Sequence, residues 1–275
     1  MMIGVLFRNE MLKMVKRLAF WVTLIFFSGV TLIEHGASFV RAREDPTRSF
    51  ALPEAWGEII TDDLEAALIF GAIVLILLVA NEFTWRTARQ NVIDGLSKTQ
   101  LFVGKTMLIP LLAVIFVGVK ITSGAFFAYL GTDRSAADAL MTGMHWHAMA
   151  GACMAFLGWG SLAFAVSTAI RSGGPSMGVW LFYVAALEGL IGEVMLKISH
   201  RLETVVEFLP AHVFAQFGRY MQYDKVVFVS AVDRATAAGR TPPEIWDSAT
   251  LWTSAIGWLV VLIGGSYLLF RKRDL

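Results

Sequence analysis

Long apolar stretches alternate with short charged segments along the chain. A helix needs about 20 mostly apolar residues to cross a lipid bilayer, and six stretches approach or exceed this length. They cover residues 18–36, 64–81, 106–130, 145–169, 176–196 and 249–270. The fourth and sixth are the clearest, because residues 139–170 and 248–270 contain no Asp, Glu, Lys or Arg. The pattern therefore predicts an all-α, polytopic membrane protein with six transmembrane helices.

Residues 1–17 precede the first span and follow a different pattern. Their apolar residues recur every three or four positions, as on one face of a helix, at Ile3, Leu6, Phe7, Met11, Met14 and Val15. Such a segment is typical of an amphipathic helix lying in the membrane interface, and a short helix that merely continues the first span is the alternative. The first apolar run ends at Glu34 and His35 without a small-residue cleavage site. We therefore expect a retained span rather than a signal peptide.

The composition supports a membrane environment. Of the 275 residues, 56% are hydrophobic and 16% are charged, whereas soluble domains average about 25% charged residues. The net charge of +1 gives no indication of a nucleic-acid partner. Cys153 is the only cysteine, which excludes an internal disulfide and a cysteine-rich metal site. The length allows one membrane domain over residues 1–275 and no separate catalytic domain.

The distribution of charge predicts the orientation. Segments on the side of the N-terminus carry far more basic than acidic residues, many of them beside the ends of spans. On the opposite side, acidic residues outnumber basic ones. Because short loops rich in Lys and Arg stay in the cytoplasm, both termini are predicted to be cytoplasmic.

The segment between the second and third spans, residues 81–105, is too polar to cross the membrane and too rich in helix formers to be a plain loop. Gly95 can end a helix by taking a left-handed backbone conformation, and Ser97 can begin the next one as an N-cap. The pattern predicts a helix–turn–helix at the membrane surface. It is either a docking element for a soluble partner or an ordinary cytoplasmic connector.

Several residues of this segment carry a resemblance to a known family. Glu82, the run Trp85-Arg86-Thr87, Gly95 and the pair Gly104-Lys105 resemble the coupling region of type-2 ABC transporter permeases. The C-terminal sequence LLFRKRDL is similar to the ending of that family, in which basic residues and an Asp close the last span. Together with the six spans and the N-terminal helix, the resemblance covers essentially the whole chain.

The resemblance implies a function. Such permeases work as dimers with an identical copy or a paralogue, surrounded by membrane lipid in the prokaryotic cytoplasmic (inner) membrane, and most often in export. Each subunit docks a separate cytoplasmic ABC ATPase, so that ATP and Mg belong to that partner and this chain binds no cofactor. The residues implied in ATPase coupling are Glu82, Trp85, Arg86, Thr87, Gln90, Asp94, Gly95 and Lys105.

The resemblance also has implications for the segment after the fifth span. The family often has two re-entrant outer helices, which would map to residues 190–215 with Glu207 and Pro210 inside them. Pro210 is expected to interrupt the helix, because proline removes a backbone donor. The outer insertion, residues 197–248, is longer than a minimal member needs and is a candidate site for an extracytoplasmic partner.

Three charged residues are predicted at or near membrane depth, namely Lys120, Glu188 and Glu193. Intramembrane charges usually face the bundle interior and are candidates for function. Lys120 and Glu188 should lie at comparable depths, which makes an ion pair between them plausible. The open interpretations are a structural pair, a substrate path and snorkelling, and Glu193 is expected near the outer headgroups.

Other chemistries find little support. The sequence GLSKT at 95–99 lacks the first glycine of a phosphate-binding loop, so we expect no ATP hydrolysis by this chain and no enzyme activity. His145 and His147 point to different faces of a helix and would chelate a metal poorly. No Asp lies in a span, and no His lies at depth after Ser161, which argues against an intramembrane protease. An ATP-independent secondary transporter or a membrane scaffold protein remains the alternative, although no internal repeat is evident.

Overall fold

The computed structural model describes residues 2–45, 48–61, 64–132, 141, 143–199, 202–222 and 247–273. Across these residues the structure is helical and contains no strand. Within these described ranges, six helices are long and apolar enough to cross a membrane. The predicted all-α, six-span architecture is therefore confirmed.

The helix bounds follow the hydrophobic pattern closely. In chain order the helices are α1 (Met2–Val15), α2 (Leu18–Glu44), α3 (Trp56–Thr61), α4 (Leu64–Thr84), α5 (Thr87–Ile93), α6 (Lys98–Thr106), α7 (Leu108–Gly131), α8 (Gly143–Ile170), α9 (Gly173–Phe182), α10 (Glu188–Ile198), α11 (Glu203–Glu207), α12 (Pro210–Gln222) and α13 (Ser248–Lys272). A π-helical turn over Tyr183–Leu187 joins α9 to α10, so the two form one continuous fifth span. The remaining spans are α2, α4, α7, α8 and α13.

Short helices lie at both ends of the spanning bundle. At one end α1 packs on α6, and α5 packs on α4 and α6; we call this end the α1 side. At the other end α3 packs on α7, α8 and α12; we call this end the α3 side. Because α4 and α7 reach both ends, they connect the helices on the α1 side with those on the α3 side.

The first span differs in extent from the prediction. Helix α2 continues to Glu44 instead of ending near residue 36. One of the polar residues that suggested an end, His35, is buried, and its Nδ1 lies 3.2 Å from the Ser123 hydroxyl on α7. At the other end of α2, Arg17 has extended backbone angles and separates it from α1. Helices α1 and α2 are therefore two separate helices.

Close contact between α4 and α8 forms the centre of the bundle. Phe156 on α8 lies over Gly71 on α4, where an added Cβ would sit 2.1 Å from the phenyl ring. Two small residues of α8, Ala152 and Ala155, are each 1% exposed. Small residues allow two helices to approach closely in lipid, so this contact holds the second and fourth spans together.

The turn between α11 and α12, together with the first turns of α12, lies beside the middle of two spans, α8 and α13. The Phe208 carbonyl accepts a hydrogen bond of 2.8 Å from the Trp258 indole on α13. Phe214 packs against Gly158, which lies near the midpoint of α8. Pro210 begins α12 after α11 has ended, as expected for a proline at the first helical position. The predicted helix break at Pro210 is confirmed, and the rest of the outer insertion, residues 223–246, lies outside the described residues.

Candidate functional site

The segment at residues 81–105 folds into two short helices joined by a tight turn. Helix α4 ends at Thr84, and Arg86 takes a left-handed conformation (φ 57°) that redirects the chain into α5. Ser97 then begins α6, with its hydroxyl accepting from the Gln100 backbone N–H while the Gln100 side chain accepts from the Ser97 N–H. This reciprocal arrangement is a capping box, so the predicted N-cap at Ser97 is confirmed.

Gly95 ends α5 in the predicted manner. Its φ of 105° lies in the region that side-chain-bearing residues rarely adopt. The Leu96 N–H donates to the Asn91 carbonyl and the Gly95 N–H donates to the Val92 carbonyl, each at 3.1 Å. These two bonds define a Schellman motif. The helix–turn–helix predicted from Gly95 and Ser97 is therefore confirmed, with both of its internal helix ends capped.

Four charged residues meet at the ends of this segment. Glu82 lies in the last turn of α4 and contacts Lys13 on α1, and Lys105 lies in the last turn of α6 and contacts Glu10 on α1. We call this set, Glu10, Lys13, Glu82 and Lys105, the charge cluster. Lys105 Nζ lies 2.6 Å from Glu82 Oε1 and also contacts Glu10 Oε2. Lys13 Nζ lies 2.8 Å from Glu10 Oε1 and 3.3 Å from Glu82 Oε1.

The charge cluster is largely shielded from solvent. Glu82 is 2% exposed, and Glu10 and Lys105 are each 6% exposed. Two acids and two bases make the cluster formally neutral. Removing one partner of such a buried set leaves an uncompensated charge, which costs far more than losing a surface ion pair. The cluster therefore fixes which residues of α1, α4 and α6 lie against one another.

The pKa values on α1 reflect this environment. Burial by itself would raise the pKa of Glu10, but attraction to Lys105 and Lys13 and hydrogen bonds from both hold it below its ordinary value of 4.5. Burial by itself would lower the pKa of Lys13, but attraction to Glu82 and Glu10 raises it above its ordinary value of 10.5. Both side chains are therefore charged around neutral pH.

Cation–aromatic contacts extend the cluster. The Arg17 guanidinium donates a hydrogen bond of 2.8 Å to the Leu77 carbonyl and lies 5.2 Å from the ring centre of Trp85. On the other face of α4, the Arg171 guanidinium lies 5.0 Å from the ring centre of Phe83. The last turn of α4 is thus held from two directions, by the start of α2 and by the connection between α8 and α9.

The predicted coupling residues divide into two groups. Glu82 and Lys105 are buried in the charge cluster. The others are exposed on the α1 side, namely Trp85, Arg86, Thr87, Gln90, Asp94 and Gly95. Within the exposed group, the Gln90 amide donates to the Asp94 carboxylate at 2.9 Å. The buried pair, Glu82 and Lys105, therefore anchors the segment to the bundle, and the exposed residues form its outer surface.

Sequence reasoning missed Glu10 as a member of this site. It counted Lys13 only as a positive charge beside the first span and gave Glu10 no role. Glu10 is the only acidic residue in α1, and it stands three positions before Lys13. That spacing indicates a local pair, but nothing in the pattern indicates contact with Lys105, which is 95 residues away in the sequence.

The expected ion pair between Lys120 and Glu188 is wrong. The Glu188 carboxylate is instead held by the Tyr183 hydroxyl, the backbone N–H groups of Ala211 and His212 at 2.9 and 3.1 Å, and the His212 ring at 3.2 Å. Lys120 lines a separate cavity beside α2. Glu188 thus binds the free N–H groups at the start of α12, where a carboxylate is favoured.

The π-helical turn explains how Glu188 reaches this position. A π-helix has more residues per turn than an α-helix, and here it begins at Tyr183 and ends immediately before Glu188. The two side chains therefore point the same way and hydrogen-bond to each other. Of the remaining predicted outer residues, Glu193 is exposed and Glu207 is half-buried.

The two neighbouring histidines of α8 contact different aromatic rings. His145 lies 6.2 Å from the ring centre of Trp56, and His147 lies 5.8 Å from that of Trp252. Among the residues that the structure describes, no group of three His, Cys, Asp or Glu side chains could hold a metal ion.

The sequence model of one family, described as ABC-2 family transporter protein, matches residues 5–275. No curated protein matches the chain.

Proposed function

This chain belongs to the ABC-2 family of transporter proteins, and we propose that it is the permease subunit of an ATP-driven exporter that works as a dimer with a separate cytoplasmic ATPase. As a member of this family it is a multi-pass membrane subunit of an ABC transporter. The finer assignments below are part of the proposal. The α1 side and both termini face the cytoplasm of a prokaryotic cell, and ATP with Mg binds to the partner ATPase.

The observation that carries the proposal is the attachment of the 81–105 segment. Its outer surface exposes Trp85, Arg86 and Asp94, whereas Glu82 and Lys105, near its two ends, are buried in the charge cluster. A force applied to the outer surface by a bound partner is therefore transmitted to α4, which contains Glu82, and to α7, which directly follows α6 and Lys105. No flexible loop lies between the outer surface and these two helices. This is the mechanical requirement for coupling a soluble ATPase to the second and third spans.

Helix α1 takes part in the same coupling. Glu10 contacts Lys105 and Lys13 contacts Glu82, so α1 moves with the segment or resists its movement. Arg17 connects the start of the first span to the last turns of α4. A movement produced by ATP binding would then reach the first three spans together.

On the α3 side of the bundle, α11 and α12 are proposed to form an outer gate. The turn between α11 and α12 is proposed to be re-entrant, because Trp258 and Phe214 place it beside the middle of spans. Glu188 holds the start of α12 through the backbone N–H groups of Ala211 and His212 and through the His212 ring. Because α11 and α12 are short, this helix pair can change position without unfolding a whole span.

A co-purification experiment tests the function. The full chain is purified from its native host in mild detergent, and the bound proteins are identified by mass spectrometry. We expect a stoichiometric ATPase whose activity depends on the complex. Trp85→Ala should weaken its retention at least several-fold, while Trp146→Ala should not, because these two tryptophans are 61% and 63% exposed at opposite ends of the bundle.

Both variants must elute from a sizing column like the native protein for this comparison to count. Equal loss of the ATPase from both variants would refute docking through the 81–105 segment. Absence of any ATPase, under conditions that preserve known complexes, would favour an ATP-independent transporter or a scaffold protein.

A further inference from the structure

A cavity of about 700 Å³ lies inside the bundle, between α4, α8, the fifth span and α12. It reaches from Glu65, in the first turn of α4 on the α3 side, to Trp159, near the middle of α8. Sites for small molecules have volumes of about 300–1,000 Å³ and are lined mostly by apolar and aromatic side chains. The cavity therefore has the size of a ligand site, and a single copy of the chain forms it.

The interior of this cavity offers no free charge to a ligand. Glu65, Glu188 and His212 are the only ionisable residues among its described lining residues. The Glu188 carboxylate is already bound by two backbone N–H groups, the Tyr183 hydroxyl and the His212 ring, and Glu65 is exposed at the mouth. Since the described lining contains no lysine or arginine, an anion would have no partner there. The interior therefore favours an uncharged ligand.

Two buried indole groups give the lining unmet hydrogen-bond donors. Trp180 on α9 is 0% exposed and Trp159 on α8 is 9% exposed, and their ring centres lie 6.4 Å apart. Neither indole N–H has a hydrogen-bond acceptor among the described residues, whereas the Trp258 N–H donates to the Phe208 carbonyl at 2.8 Å. A buried donor without a partner is costly. Since both unpaired indoles line the cavity, a ligand that carries acceptor oxygens can supply the missing partners.

The mouth of the cavity opens between the second and fifth spans. Apart from Glu65, its exposed lining residues are uncharged, and they include Ile69 on α4 and Ala185 and Gly189 on the fifth span. Ala185 belongs to the π-helical turn, and such turns inside helices are frequently found at functional sites. Because both spans cross the hydrocarbon region, a molecule dissolved in the bilayer reaches this mouth without passing through water.

We propose that this cavity binds an uncharged lipophilic molecule from the bilayer, with acceptor oxygens near Trp159 and Trp180 and an apolar part against Leu68 and Phe214. All four residues line the cavity. A monoacylglycerol is a simple probe of this chemistry, because it joins hydroxyl and ester oxygens to one acyl chain. The proposal concerns a single chain without ATP, so it is independent of ATPase docking at the 81–105 segment.

Photo-crosslinking of the full chain tests the binding. The protein is placed in phosphatidylcholine nanodiscs that contain a monoacylglycerol with a diazirine in its acyl chain, and labelled peptides are identified by mass spectrometry after irradiation. We expect saturable labelling of cavity-lining residues on α8 and α12, and the amount of monooleoylglycerol that halves this labelling measures the affinity. Hexadecane, which has no oxygen, and hexadecanesulfonate, which is an anion, should compete at least several-fold less well.

Substitutions of tryptophan assign the binding to the cavity. Trp180→Phe keeps an aromatic ring and removes one N–H group, so it should weaken binding about two- to tenfold, the range for one hydrogen bond between uncharged groups. Trp159→Phe should have an effect of the same size. Trp146→Phe is the matched control and should leave the affinity unchanged, since Trp146 also lies on α8 but is 63% exposed and is outside the described lining.

Ala185→Trp provides a further variant if Trp180→Phe does not fold. Ala185 is exposed at the mouth, so a larger side chain can be accommodated there and should reduce cavity labelling at least several-fold, with an unchanged elution volume. Labelling confined to outward-facing residues, such as Val260 and Val261 with exposed fractions of 67% and 59%, would overturn the proposal. Equal or stronger competition by hexadecane or hexadecanesulfonate would overturn it, as would equal labelling of the native protein, Trp180→Phe and Ala185→Trp.

Discussion

Glu82 is the residue whose replacement best tests the charge cluster. Its Oε1 contacts Lys105 Nζ at 2.6 Å and Lys13 Nζ at 3.3 Å, whereas its buried Oε2 accepts no hydrogen bond among the described residues. Glu82→Gln can therefore keep an acceptor oxygen at the first position and place its amide group at the second. The substitution removes the negative charge while preserving shape.

The expected loss follows from burial and charge balance. Glu82→Gln changes a neutral cluster of two acids and two bases into one with a net positive charge, at a site where Glu82 is 2% exposed. Breaking a buried pair costs roughly 3–5 kcal/mol. Because the amide oxygen keeps a weaker hydrogen bond, we expect the free energy of unfolding to fall by about 2–4 kcal/mol.

A double-mutant cycle isolates the interaction. Glu82→Gln combined with Lys105→Met restores neutrality and leaves Glu10 paired with Lys13 at 2.8 Å. The double variant should lose less than the sum of the single losses, by at least about 1.5 kcal/mol. The assay is unfolding of the purified protein in mixed micelles with increasing dodecyl sulfate, followed by tryptophan fluorescence. Losses that add within about 0.5 kcal/mol would refute the coupling between the two residues.

The control for this cycle is Asp94→Asn. Asp94 is exposed and its carboxylate accepts a hydrogen bond from Gln90 within α5. Surface substitutions of this kind usually change stability by less than about 0.5 kcal/mol. A loss as large as that of Glu82→Gln would mean that the assay reports a general effect of charge removal near the membrane.

Three further predictions follow from other contacts. Because the pKa of Glu10 is lowered in the folded protein, the stability that Glu10 contributes is present above its ordinary pKa of 4.5 and is lost as the pH falls through the folded value. The difference in the free energy of unfolding between the native protein and Glu10→Gln should therefore shrink below about pH 4.5. A difference that stays constant with pH would contradict this expectation. Gly158→Ala should cost about 1–3 kcal/mol through overpacking, since its Cβ would lie 2.1 Å from the Phe214 ring, and Phe214→Leu should recover part of that loss; no loss in the single variant would refute the close contact. Lys120→Met and Glu188→Gln should lower the free energy of unfolding additively, within about 0.5 kcal/mol, because the two residues do not form an ion pair. Strong non-additivity would support the ion pair expected from the sequence.

The sequence alone determined the features that depend on local geometry and on the lipid environment. Six spans follow from six apolar stretches. A segment in lipid must be helical because its backbone groups can hydrogen-bond only to one another, and it needs about 20 apolar residues to cross the bilayer. The helix end at Gly95, the N-cap at Ser97 and the break at Pro210 follow from backbone conformations that few residue types allow. The family resemblance rested on the 81–105 segment, the C-terminal sequence, the six spans and the N-terminal helix, and the match to residues 5–275 confirmed it.

The tertiary structure alone decided which charged residues meet. Lys120 and Glu188 were paired on depth alone, but depth does not specify how each helix is rotated about its axis. The π-helical turn before Glu188 and the packing of α12 turn its carboxylate towards Ala211 and His212. Glu10 likewise reaches Lys105 only because α1 packs against α6. Periodicity predicts which face of a helix is apolar, whereas the partner of a buried charge depends on contacts between helices that are distant in sequence.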